Sequence, residues 1–367
     1  MPHHNPEYVG LEDILYMSDA LQRPRLWVLV FFLSIYLLTF GGHFYSPDED
    51  VIFHVTHSVV EHRSFSLLTL AEPRVLQFQM GIDGKRYSRY GWGASAVAIP
   101  FYLVGKWSTQ FVQLQLQGFV ARLVTALVSP IVSAISCVVV YSLAIAFFRK
   151  HKQAFLITVL FGLFTLTWPY AKMNFSESLL TMELVLAFYQ LFRYTQDGRA
   201  SQLVLSGFFY GLAVATKMAS ILFVPLAGLY LLAHLYEQNG RLAGIRKHVK
   251  HYISALLCWG IPIALLIVTV LLYNAFRRGS PFESGYGSAA GLMRYPLLEG
   301  LYGLLFSSGR SLFLYAVPTA LFIPAIMAFT RSGARRPSFS PWSSSLTLSF
   351  SPSTSFGMEQ AVGDRAF

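Results

Sequence analysis

The sequence predicts an all-α polytopic membrane protein with about eight transmembrane helices and a long first outer loop carrying interfacial helices. Composition is the first observation behind that expectation. Of 367 residues, 54% are hydrophobic and only 13% are charged, whereas soluble domains carry about 25% charged residues. Mean hydropathy is +0.49. The second observation is a series of apolar runs near the ~20 residues a span needs. The third is that cations gather in alternate connections between those runs, as the positive-inside rule requires.

In chain order, residues 1–25 read as a cytoplasmic segment, with Arg23 and Arg25 just before the first span. No small-residue cleavage site marks a removed leader. The first span, 26–44, runs outward and delivers Ser46-Pro47-Asp48-Glu49-Asp50 to the outer face. The first outer loop covers about 43–118. Within it, 50–61 forms a helix with Val51, His54, Val55 and Ser58 on one side, lying along the membrane surface. Residues 94–104 are apolar but short and contain Pro100, so they read as interfacial or re-entrant. Were they a span, Arg149, Lys150 and Lys152 would face outward, against the charge rule.

The remaining spans fall at about 122–148, 153–170, 177–194, 202–216, 218–235, 252–275 and 311–329. Every inner connection then carries cations, and residues 26–330 form one membrane domain. The formal charge of +10 therefore reads as topology and anionic-lipid contact, not nucleic-acid binding. Cys137 and Cys258 lie inside apolar runs and read as buried inert thiols.

Residues 331–367 form a Ser-rich tail open to two readings. It can be a disordered low-complexity segment. Alternatively it is frameshift-derived, because most serine codons are TCN, and reading one base back gives NTC, which encodes Phe, Leu, Ile or Val. That shift would turn the tail into another apolar span.

Asp48, Glu49 and Asp50 are candidates for a general base and for metal ligation, with a helix N-cap as the alternative. Glu177, in Asn174-Phe175-Ser176-Glu177-Ser178, begins an inward span and so reaches the same outer face. A divalent cation (Mg, Mn or Zn) held by Glu49 and Glu177 is one expectation. His54 and His57 share a face with Asp50 and read as interfacial histidines or a metal site. Lys217 sits between an outward and an inward span with almost no loop. It either snorkels to headgroups or pairs with an anionic ligand such as a lipid phosphate. Arg277, Arg278, Lys85, Arg86 and the adjacent Tyr87 are further candidates for substrate or phosphate contact at that face. Gly84, Gly91 and Gly93 follow no strand of a phosphate-binding fingerprint and read as a turn.

The order of these features resembles a known superfamily. An outward first span and acidic pair are followed by Tyr87-Ser88-Arg89-Tyr90-Gly91-Trp92-Gly93, Ala121-Arg122-Leu123, a second-loop acid and Gly211-Leu212-Ala213-Val214-Ala215-Thr216-Lys217. Later come Arg278-Gly279-Ser280-Pro281-Phe282-Glu283 and Gly303-Leu304-Leu305-Phe306-Ser307-Ser308-Gly309-Arg310. Together they resemble the C-type (GT-C) glycosyltransferases that use polyprenyl-phosphate sugars, such as protein O-mannosyltransferases and lipid A aminoarabinose transferases.

The resemblance covers residues 26 to about 330. It implies that Asp48 is the catalytic base with Glu49 beside it, that Glu177 shapes the site or holds metal, and that Lys217 meets the lipid phosphate. It further implies a polyprenyl-phosphate-linked sugar donor, a lipid, glycan or protein acceptor, and a bacterial inner (plasma) membrane location with the site facing outward. Relatives usually continue with more spans, so a truncated inactive fragment is one rival reading. A lipid-linked sugar flippase is the other, although no internal repeat supports it.

Overall fold

The computed structural model describes residues 11–67, 78–239, 241–285, 296–309, 311–321, 324 and 327. They form a helical bundle with one small hairpin. Helix α1 is Leu11–Leu38 and α2 is Pro47–His62; strands β1 (Phe78–Met80) and β2 (Arg86–Ser88) pair antiparallel, with Gln79 opposite Tyr87. Next come α3 (Gly93–Ser108), α4 (Leu114–Ala126), α5 (Val128–Phe148), α6 (His151–Leu163) and α7 (Thr167–Ala171). Then follow α8 (Ser176–Asp197), α9 (Ala200–Thr216), α10 (Phe223–Asn239), α11 (Arg241–Arg278), α12 (Leu297–Phe306) and α13 (Leu312–Tyr315). The Ser-rich tail, with both its readings, lies outside the described residues.

Among the described residues, three helical stretches are long and apolar enough to cross a bilayer: Leu114–Phe148, Met218–Gln238 and Val249–Arg278. Several of the other expected spans fall on helices that are shorter, more polar or broken. α8 has 22 residues but carries Glu177, Glu183, Arg193 and Asp197. The expected span at 153–170 is divided, because α6 ends at Leu163 and α7 starts at Thr167. Thr165 Oγ1 donates to the Phe161 carbonyl and accepts the Thr167 N–H, offering the backbone an alternative to a continued helix. Nor is 311–329 one helix: α13 has four residues, Ala316 leaves helical geometry, and a 3₁₀ turn, Val317–Leu321, follows.

Two elements of the first loop also depart from expectation. α3 has 16 residues and runs straight through Pro100. At ~24 Å it is shorter than the ~30 Å hydrocarbon layer. α2 is not a surface helix with one apolar side. Ile52, Phe53 and Thr56 are buried along with Val51, Val55 and Ser58. Thr56 Oγ1 donates to the Ser95 carbonyl of α3 at 3.1 Å, so α2 is enclosed by its neighbours.

Among the described residues, the two largest of four apolar clusters hold the bundle. Val28, Phe32 and Tyr36 of α1 pack on Ala134, Cys137 and Tyr141 of α5 and on Ala154 of α6. Leu191 of α8, Leu203 and Tyr210 of α9, Leu231 and Leu235 of α10 and Trp259 of α11 make the second. The outer surface is apolar as well. On α11, Ile253, Leu257, Ile261, Leu265 and Leu272 are each between 50% and 64% exposed. Such a stripe is a liability in water and is what a bilayer covers.

One end of the bundle gathers most of the irregular backbone. Trp168 Nε1 donates to Thr39 Oγ1 at 3.1 Å, tying α7 to the end of α1. The Ile82 N–H donates to the Arg277 carbonyl at 3.1 Å, tying the hairpin to the end of α11. The loop before α3 is pressed on the end of α9. A Cβ at Gly93 would stand 2.5 Å from Thr216 Oγ1, and one at Gly91 would collide with the Ala215 carbonyl. These glycines are therefore needed for close approach, beyond making a turn.

Gly91→Ala should accordingly lower stability by about 1–3 kcal/mol, the usual cost of overpacking. Gly118→Ala, where an added Cβ meets nothing within 4 Å, is the control. Thermal unfolding in detergent reads both; equal midpoints for the two variants would contradict the close approach.

Candidate active site

The acidic stretch begins as a helix start. Ser46 caps α2, its Oγ accepting the Asp48 N–H, and Pro47 occupies the first helical position. Ser46 and Glu49 stand three apart, the spacing of a capping box, and the Glu49 carboxylate accepts the Ser46 N–H in return. Its Oε1 also accepts the Tyr45 N–H at 2.9 Å. Its Oε2 reaches across to the Asn174 N–H at 2.8 Å, at the turn before α8.

Glu49 has no exposed surface. Burial pushes its carboxyl above the usual range, against the pull of the donated N–H groups, and the Asp50 charge adds to the rise. A side chain enclosed in this way cannot touch an acceptor. Asp48 differs: it is half-buried, and its carboxylate has no hydrogen bond or ion pair among the described residues. Asp50 is taken up by Arg122 at 2.7 Å, whose guanidinium lies over the Phe44 and Phe53 rings.

Asn174 stands three residues before Glu177, which lies in the first turn of α8. Glu177 Oε1 is 2.6 Å from Lys217 Nζ. Lys217 caps the C-terminus of α9 in an extended conformation. The acid thus sits at a positive helix end and the lysine at a negative one, so each charge also suits its own helix. Two contacts, Glu49 to the Asn174 N–H and Glu177 to Lys217, are joined by the three-residue step along the chain from Asn174 to Glu177.

The remaining expected site residues are placed on the hairpin side of this end. Arg277 is buried, and its Nη1 donates to the Ser88 carbonyl at 2.5 Å. Its Nη2 donates to Asn274 Oδ1 at 2.7 Å, and the guanidinium stacks 3.7 Å from the centre of the Tyr273 ring. Arg277 therefore clamps the hairpin to α11. Arg278, also buried, donates to the Ser88 carbonyl at 3.4 Å. Lys85 is largely exposed and pairs with Asp83 at 3.5 Å. Arg86 lies over the Phe78 ring. Tyr87 turns inward and donates to Asp83 at 2.9 Å; burial, with Asp83 beside it, pushes its phenol up to about 12.

No group of three or more His, Cys, Asp or Glu residues able to hold a metal occurs among the described residues. Both Glu49 oxygens already accept N–H groups and Glu177 holds Lys217. Cys137 and Cys258 are free thiols, and Cys137 lies 3.3 Å from the Tyr36 hydroxyl.

Sequence reasoning does not single out Glu183, a fully buried acid on α8 whose Oε1 accepts the Thr216 hydroxyl at 2.9 Å. The available signal was an ionisable residue inside an expected span.

A family model described as dolichyl-phosphate-mannose-protein mannosyltransferase matches residues 100–273. That stretch includes Glu177, Glu183 and Lys217, and it leaves Asp48, Glu49 and the hairpin outside. It is consistent with a C-type glycosyltransferase-like, membrane-associated chain. No curated protein and no solved structure matches the chain.

His54 supplies a pH-dependent test of α2. Its imidazole is pushed down from 6.5 to about 4, first by burial, then by the Arg122 and His57 charges. Between those values the unfolded chain binds more protons. Stability should therefore be complete above pH ~6.5 and fall as the pH drops towards 4. Unfolding midpoints in detergent across that window should show the loss, and His54→Gln should flatten it. An equally steep profile in the variant would remove His54 as its origin.

Proposed function

We propose that this chain is a membrane glycosyltransferase that moves a sugar, with inversion, from a polyprenyl-phosphate carrier to an acceptor at the outer face. The acceptor is a lipid, glycan or protein, and the membrane is the bacterial inner (plasma) membrane. The observation that carries the reading is the pair of contacts Glu49–Asn174 and Glu177–Lys217 at the start of α8, together with the family match over 100–273. It joins an unpartnered carboxylate and a cation at one end of a bundle whose flanks suit lipid.

Asp48 is the group left for proton transfer. Its carboxylate takes the acceptor's proton as the nucleophile attacks the anomeric carbon, and the bond to the carrier phosphate breaks on the opposite side. Such a base typically contributes ~10²–10⁴-fold. Glu49 is the anchor that holds the first turn of α2 against Asn174, so that Asp48 keeps its aim. Lys217 neutralises charge on the departing phosphate, a role that requires it to share or leave Glu177. Lys85, which is largely exposed, and the half-buried Arg86 are assigned to the carrier headgroup, whereas Arg277 serves by holding the hairpin. Burial of the isoprenoid chain along the apolar flanks supplies binding energy remote from the reacting atoms.

Asp48→Asn should lower transfer at least ~10²-fold while leaving the unfolding midpoint and carrier-lipid binding near wild type. Glu49→Ala should behave oppositely, lowering the midpoint because it orphans the buried Asn174 N–H, at a cost of about 1–3 kcal/mol, and frees that of Tyr45. Purified protein, a radiolabelled polyprenyl-phosphate sugar and candidate acceptors provide the assay. Full turnover by Asp48→Asn would remove the base assignment.

A further inference from the structure

The proposed chemistry leaves Glu183 without a task, yet it is a costly side chain to bury. It has no exposed surface and, among the described residues, no ion pair and an Oε2 without a hydrogen-bond partner. A buried, half-satisfied carboxyl is expensive, and a hydrophobic residue of similar volume would pack there without that cost. What it does make is one bond between helices, accepting the Thr216 hydroxyl on Oε1 at 2.9 Å.

Thr216 is the last residue of α9, and Lys217 follows immediately in extended geometry at φ −146 and ψ 110. On its other side Thr216 is confined by Gly93, whose missing Cβ leaves just enough room for the hydroxyl. α8 therefore grips the end of α9 at two points. Glu177 holds the Lys217 ammonium at 2.6 Å, and Glu183, six residues and ~9 Å further along the helix, holds the residue before it. With the hydroxyl pinned, α9 ends at one place, and the reach of the lysine side chain is measured from there.

We propose that Glu183 is a positioning residue. Through Thr216 it fixes where α9 stops and so sets where the Lys217 ammonium stands. Its consequence for transfer rests on the phosphate-binding reading of Lys217; the positional claim does not.

The test is the rate at which an amine-reactive ester acylates Lys217, quantified by mass spectrometry on the full chain in detergent. Lys106, paired with Glu61 at 2.7 Å and half exposed, is the internal reference. Glu183→Ala and Thr216→Val should each raise Lys217 acylation relative to Lys106 by about two- to five-fold, the range expected for loosening one exposed ion pair. Glu183→Gln keeps an oxygen acceptor for the hydroxyl and should remain at the wild-type rate. The double variant should exceed neither single one. Wild-type Lys217 acylation in both single variants would overturn the inference, as would a rise in Glu183→Gln equal to that in Glu183→Ala. If Glu183→Ala does not fold, Thr216→Val decides alone. In the transfer assay the same variants should raise KM for the lipid-linked donor more than they lower kcat. A wild-type chain with no transfer activity would end the phosphate reading, while the acylation result would still decide the role of Glu183.

Discussion

The buried carboxylate of Glu49 is the joint on which this end of the molecule depends. It collects N–H groups from Tyr45 and Ser46 on its own segment and from Asn174, which lies 125 residues away in sequence. The first two contacts start α2; the third binds that start to the turn before α8. Without the third, the first turns of α2 and α8 would be held near one another only by apolar packing such as that of Ile52 and Leu179. An acid suits this task because its two oxygens can accept several donors at once. Burial makes those bonds stronger and their loss dearer.

The other connections are also made by polar groups at helix ends. Lys217 and Glu177 join the C-terminus of α9 to the N-terminus of α8, each charge at the helix end that favours it. Arg277 draws the hairpin onto the C-terminus of α11 through the Ser88 carbonyl. Arg122 holds Asp50 on α2 from α4. The apolar flanks supply little discrimination between helix pairings in a bilayer, since lipid tails are as apolar as Leu. Polar contacts at the end can do so, and the close approach at Gly91 and Gly93 adds steric definition.

Much of this was legible from residue order. The 54% hydrophobic content announces a membrane protein, and the apolar runs at 122–148, 218–235 and 252–275 lie within the three stretches fit to cross. The acid at 177 and the lysine at 217 were readable as sharing one face, because alternating spans return to the same side. Other features were not legible. Whether 153–170 continues as one helix depends on the competition between Thr165 and the backbone. The path of α3 through Pro100 and the enclosure of α2 depend on neighbours that a periodicity count does not include.

Roles among the charged residues divide in the same way. Ser46-Pro47-Asp48-Glu49 carries its own capping signal, so the start of α2 and the acids in its first turn follow from local chemistry alone. Which of those acids is enclosed and which is left unpartnered is not local. Glu49 lost its exposure because Asn174 and the α8 turn fold over it, and Arg277 became a clamp because the hairpin carbonyls come within reach. Sequence by itself determined membrane class and the capping signal before α2, since these depend on composition and neighbours along the chain. Only the tertiary structure decided which charges are used up holding it together, because that depends on groups distant in sequence competing for the same few hydrogen bonds.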